Sequence, residues 1–211
     1  MKRLLPSFVV ALLLACLVSA ASAQPAQEAR AALDGAVSRI LAVIRNPEYA
    51  NPATRPPLRR QIEAEVRQIF DFGEFSSRTV GPRWKTFNEA QKQAFSNAFA
   101  DLLLNTYLNR ITGYNGETVS YTGETVSPEG DKVEVRTAIA MKDGKKIPVS
   151  YRMLNKNGKW RVYDVIIENI SLVKNYRTQF QDILNTATPE QLIERVRAKA
   201  AEILSQGQKA Q

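Results

Sequence analysis

The sequence predicts an α+β fold: a curved antiparallel sheet of about four strands packed against a helical layer. Three observations predict it. The apolar period runs near 3.6 up to about Thr112, switches to two, and returns to 3.6 after Ser171. The alternating middle part is punctuated by Asp143-Gly144 and Asn157-Gly158, two-residue hairpin signals that make the sheet a meander. The segment 88–112 is apolar round most of its girth, as expected of a helix buried on several sides.

The chain of 211 residues opens with Lys2 and Arg3, an apolar run from Leu4 to Val18, and Ala21-Ser22-Ala23. That pattern reads as a signal peptide over residues 1–23, cleaved after Ala23. Leu13-Leu14-Ala15-Cys16 also resembles a lipobox. However, the apolar run continues past Cys16, and a lipoprotein leader would leave Ala-Ser-Ala unexplained. Cleavage after Ala23 leaves 188 residues, enough for one α+β domain over 24–211, without a cysteine and so without a disulfide.

An amphipathic helix follows over Gln27–Arg45, with Leu33, Val37, Ile40 and Ile44 inward. Asn46-Pro47 and the stretch Asn51-Pro52 to Pro56-Pro57 read as a loop. Leu58–Phe70 is a second helix with Ile62, Val66, Ile69 and Phe70 inward, and Phe72, Phe75 and Val80 mark a short third one ending at Gly81-Pro82. Asn88-Glu89-Ala90-Gln91 has the pattern of a capping box and opens the longest helix. Candidate strands are 117–122, 132–142, 146–154 and 159–167. Val133, Val135, Ile139 and Met141 share one face, and Ile147, Val149, Tyr151 and Met153 the matching face of the next strand. Ser171 is the expected N-cap of a helix to about Asn185, and Thr188-Pro189-Glu190-Gln191 opens the last helix.

The net charge is +8, or +6 without the leader, with basic clusters at Lys142, Lys145 and Lys146, at Lys156, Lys159 and Arg161, and at Arg195, Arg197 and Lys199. They read as a docking surface or as solvated charge, the first two expected as neighbours on one edge of the sheet. The chain has no histidine, which removes the usual general base and the commonest metal ligand. It has no P-loop, GxGxxG or GxSxG, and no nucleic-acid-binding motif. Neither a metal nor a cofactor is expected. Asp164, Glu168, Tyr176 and Arg177 form the one candidate constellation. It is either a structural corner, with Arg177 pairing a carboxylate, or an acid–base pair beside an apolar cavity.

The stretch from Trp160 to Phe180 carries a resemblance. Trp160, Tyr163-Asp164-Val165, Glu168, Ser171-Leu172-Val173, Asn175-Tyr176-Arg177 and Phe180 follow the pattern of the MlaC / toluene-tolerance family of periplasmic phospholipid-binding proteins. Phe70-Asp71-Phe72, Gly81, Trp84, Gln91, Phe95, Phe99 and Tyr107 match upstream in the same order and spacing. Asn169 stands where the family more often has Gly. Asn is the next-best residue where φ is positive.

The resemblance implies a nuclear-transport-factor-like cone with an apolar cavity between sheet and helices, filled by phospholipid acyl chains. The expected tail-binding residues are Val133, Val135, Ile139, Met141, Ile147, Val149, Tyr151 and Met153 on the sheet and Phe95, Phe99, Leu103 and Tyr107 on the long helix. It also implies a periplasmic carrier without catalysis, moving phospholipid between an outer-membrane lipoprotein–porin complex and an inner-membrane ABC transporter with an MCE-domain subunit. The alternatives are an enzyme using Asp164 or Glu168 with a tyrosine, and a ligand-free periplasmic adaptor whose apolar face is plain core.

Overall fold

The computed structural model describes residues 23–111 and 113–209, and residues 7–22 only as backbone within the first helix. The leader expected over 1–23, with Lys2, Arg3 and Cys16, lies outside the fully described residues but for Ala23. Among the described residues no helix is long and apolar enough to cross a membrane.

Among the described residues six α-helices and five strands follow one another as helices, sheet, helices. Helix α1 (Ser7–Ile44) is followed by a 3₁₀ turn at Pro47–Tyr49, then α2 (Arg55–Ile69), α3 (Phe72–Val80), a second 3₁₀ turn at Gly81–Thr86 and α4 (Glu89–Leu108). Helix α2 begins before Pro56-Pro57 rather than after it. Proline fits the first turn, where its missing N–H has no partner to lose. The capping box of α4 is formed: Asn88 accepts the Gln91 amide at 2.9 Å and Gln91 accepts the Asn88 amide at 2.7 Å. Helix α4 lies at the centre of the helical layer, with Phe95, Phe99, Leu102, Leu103, Leu104 and Leu108 all buried.

Strands β1 (Thr118–Val126), β2 (Lys132–Ala140), β3 (Lys146–Lys156) and β4 (Lys159–Ile167) form the expected antiparallel meander, and a two-residue β5 (Ile170–Ser171) adds a fifth strand beside β4. Helices α5 (Leu172–Leu184) and α6 (Pro189–Lys209) close the chain. The β2–β3 and β3–β4 turns lie at opposite ends of the eleven-residue β3, so Lys142, Lys145 and Lys146 are not neighbours of Lys156, Lys159 and Arg161. At roughly 3.3 Å per residue, the length of β3 separates the two clusters.

Two apolar clusters hold the layers together. The larger joins α1, α3, α4, α5 and α6 to the inner face of β2, β3 and β4. Its centre is a set of aromatic rings: Phe95 and Phe99 stand edge-on to Phe180 at 5.3 Å, and Phe99 edge-on to Phe75 at 5.4 Å and to Tyr176 at 4.9 Å. The smaller joins Ile44, Tyr49, Ile62, Leu104 and Leu108. Arg59 ties α2 to α4 by donating to Asn109 at 2.7 Å and Asn105 at 3.0 Å. The two asparagine amides donate in turn to the Ala200 and Ile203 carbonyls of α6.

Candidate functional site

A domain of this size ordinarily has one contiguous core with smaller satellite clusters, and here the main core has one satellite among the described residues. Here a cavity of about 250 Å³ lies where the two apolar clusters meet, and it draws its walls from both. Leu33, Ala36, Val37 and Ile40 of α1 and Ile62, Val66 and Ile69 of α2 form one side. Leu103, Leu104, Tyr107 and Leu108 of α4 form another. Tyr151, Val165 and Ile167 form the sheet side, and Phe70, Phe72 and Phe75 close one part of the wall. Among the described residues no charged side chain lines it. Tyr107 and Tyr151 bring its phenol oxygens. Burial pushes the Tyr151 phenol up to about 12, and burial also raises Tyr107, with Arg110 opposing. The site suits chains of CH₂ groups and offers nothing to an ion.

Of the twelve residues expected to bind lipid tails, Leu103, Tyr107 and Tyr151 line this cavity. Phe95 and Phe99 are committed to the aromatic cluster. Val133, Val135, Val149 and Met153 are packed solid in the larger core, and Ile139 and Ile147 pack at its margin. Met141 sits in the β2–β3 turn, beyond the end of β2. The cavity is therefore shifted from the middle of the sheet toward α1 and α2. Those helices carry the signal that could have found it: Val37, Ile40, Ile62, Val66 and Ile69 all point inward by periodicity.

The strand–helix corner is built around Asp164, which is 2% exposed. Its Oδ2 accepts the Ser171 hydroxyl at 2.7 Å and its Oδ1 the Val173 amide at 3.0 Å. Its charge partner is Arg152, at 3.3 Å across the β3–β4 ladder. The Arg177 partnership with a carboxylate, one of the two readings of this corner, is not formed among the described residues. The Arg177 side chain points to α3 and donates to the Arg78 carbonyl at 2.7 Å. Glu168 is exposed on the β4–β5 turn and faces Lys145 at 3.6 Å, while Tyr176 packs on Phe99 and Phe180. The four residues do not converge, and neither Asp164 nor Glu168 lines the cavity. Ser171 caps α5 as expected, accepting the Lys174 amide at 3.1 Å. Asn169 has φ +68°, the conformation its place in the pattern calls for. Among the described residues no cluster of His, Cys, Asp and Glu could hold a metal ion.

Residues 34–198 match the family model described as MlaC protein. The chain belongs to the MlaC family. It is similar to the intermembrane phospholipid transport system binding protein MlaC of Haemophilus influenzae, with 22% identity over 129 residues, 60% of each chain. It is also similar to toluene tolerance protein ttg2D of Pseudomonas putida, with 32% identity over 94 residues, 44% of this chain and 43% of that one. Both alignments thus span less than two thirds of those MlaC-family relatives. Among solved structures, the fold matches that of a phospholipid-binding protein from Ralstonia solanacearum in complex with a phospholipid. The TM-score is 0.73 at 24% identity, covering 83% of this chain and 98% of that one.

Proposed function

We propose that this protein is a periplasmic phospholipid carrier that shields acyl chains from water in the cavity between its two apolar clusters. The observation that carries the reading is the apolar gap between the main core and its satellite. Side chains of these types would close on one another if the region were only core. Instead they leave an uncharged gap of about 250 Å³.

The energetics suit the task. Two acyl chains of roughly 16 carbons, at about 0.8 kcal/mol per CH₂, gain on the order of 20 kcal/mol gross from shielding. The gap lies just under the roughly 300–1,000 Å³ typical of ligand sites. Loading a whole lipid therefore requires the α1–α2 side to part from the sheet. In this reading the leader is cleaved after Ala23, and lipid passes between an outer-membrane lipoprotein–porin complex and an inner-membrane ABC transporter with an MCE-domain subunit. The carrier itself catalyses no step.

Native mass spectrometry of the purified mature protein, followed by organic extraction, tests the reading. Stoichiometric phospholipid carried through purification is the expected result. An apoprotein that also refuses added phospholipid would overturn it.

A further inference from the structure

Phe70 and Phe72 each line more than one space. Both rings, stacked at 5.5 Å, line the apolar cavity. Both also line an outer cleft of about 470 Å³ whose remaining walls include Asp71, Lys156, Lys159 and Arg161. The two rings are the lining that the apolar gap and the basic cleft share.

Two of the charges in this cleft oppose one another. Lys156 and Lys159 are direct cross-strand partners at the end of the β3–β4 ladder, where like charges destabilise. Asp71 relieves one of them: its Oδ2 accepts from Lys156 at 2.9 Å, while its Oδ1 caps α3 on the Glu74 amide at 2.8 Å. Lys159 is exposed and makes no ion pair among the described residues. Arg161 donates from one guanidinium nitrogen to the Gln68 carbonyl and keeps N–H groups to spare. The lining of the cleft thus holds three cations and one carboxylate, with Glu74 also acting on Lys156 from outside it. The adjoining groove, which Phe70, Phe72 and Lys156 also line, has its other cations paired. There Arg67 pairs with Asp101, and Lys92 with Glu89.

The backbone holds the cleft in place. Phe70 bridges Val162, and the Asp71 amide donates to the Val162 carbonyl at 2.9 Å. Asn157 and Gly158, with φ +54° and +76°, make the tight turn that sets Lys156 opposite Lys159.

The geometry points to this cleft as the site of a phosphate group carried by the amphiphile whose chains fill the cavity, with Phe70 and Phe72 as the threshold between head and tails. The inference rests on the carrier reading and adds to it a preference for a phosphate-bearing head.

The test uses the delipidated mature protein and two tail-matched probes, dioctanoyl phosphatidic acid and dioctanoylglycerol, titrated by calorimetry below their aggregation concentrations. Charge-assisted hydrogen bonds make the phosphatidic acid bind about ten-fold or more tighter. In the Lys159→Gln/Arg161→Gln variant that ratio falls to about two-fold or less, with diglyceride affinity kept. The control variant Lys142→Gln/Lys145→Gln loses the same charge at the opposite end of the sheet and keeps the preference. Circular dichroism verifies that each variant is folded. Equal binding of both probes by the unaltered protein overturns the phosphate site and leaves the carrier reading standing. A preference that survives Lys159→Gln/Arg161→Gln overturns it as well. Inorganic phosphate that binds tightly, loses that binding in Lys159→Gln/Arg161→Gln and leaves phosphatidic acid undisturbed would assign the cleft to the free ion and overturn the lipid site. Failure of both probes to bind overturns the carrier reading and the phosphate site together.

Discussion

The Ser171 hydroxyl donates to Asp164 Oδ2 at 2.7 Å and, through the same oxygen, accepts the Lys174 amide that opens α5. One buried carboxylate thereby joins the end of β4 to the start of a helix whose Leu172 lines the cavity. Replacing Asp164 by Ala strands the Ser171 and Val173 donors in a dry site. The expected cost is about 3 kcal/mol by urea denaturation. Arg152 is 37% exposed at its side chain, so Arg152→Ala costs about 1 kcal/mol or less. Equal losses for the two variants would mean that the ion pair, not the cap, secures the corner.

Filling the cavity separates lipid binding from folding. Val66 is half-buried on α2 and faces the gap, so Val66→Trp places its ring in existing space. Lipid recovered on extraction should fall to near zero, with stability changed by roughly 1 kcal/mol. Val135 is fully packed on β2, and Val135→Trp should cost about 3 kcal/mol by overpacking. Undiminished lipid in folded Val66→Trp would place the acyl chains elsewhere.

The contrast between Val66 and Val135 also marks what the sequence could and could not disclose. The elements are legible because they are written locally: Asn88 and Gln91 cap a helix, Asp143-Gly144 and Asn157-Gly158 turn hairpins, and Ser171 stops a strand. The cavity is not local. Valine on α2 and valine on β2 have the same periodicity and the same chemistry. Which of them faces a gap depends on how two helices seat against the sheet. The partner of Asp164 was hidden for a related reason. Arg177 is near it in sequence, but Arg152 reaches it through the β3–β4 register, which shifts at a bulge beside Arg152. The two-residue β5 is too short to carry a period at all.

Alkaline pH should loosen the protein through two phenols. Burial lifts Tyr151 to about 12, and burial, with Tyr107 adding to it, lifts Tyr176 to about 12, against about 10 in an unfolded chain. The folded state keeps protons that the unfolded state gives up. Their contribution is complete below about pH 10 and is lost as the pH rises toward about 12. Each accounts for roughly 2–3 kcal/mol at most. Tyr151→Phe and Tyr176→Phe should each flatten the fall in urea midpoint between about pH 10 and pH 12. A variant that falls as steeply as the unaltered protein would show that its phenol is not held neutral by the fold.

The β4–β5 turn stores strain that can be relieved. Ile167 pairs with Ile170, so Glu168 and Asn169 are its two central residues, with φ +48° and +68°. Positive φ at both positions is the habit of a type I′ turn, which favours Asn then Gly. Asn169 tolerates it, but a glutamate has no local hydrogen bond to offset the steric cost. Its contact with Lys145 at 3.6 Å joins two side chains that are both more than half exposed, and contributes little. Glu168→Asn should therefore stabilise the protein by about 0.5–1 kcal/mol, read as a higher urea midpoint with an unchanged slope. Because the turn lies outside the cavity wall, recovered lipid should not change. A lower midpoint would mean that Glu168 holds the β2–β3 tip through Lys145 more firmly than its exposure allows.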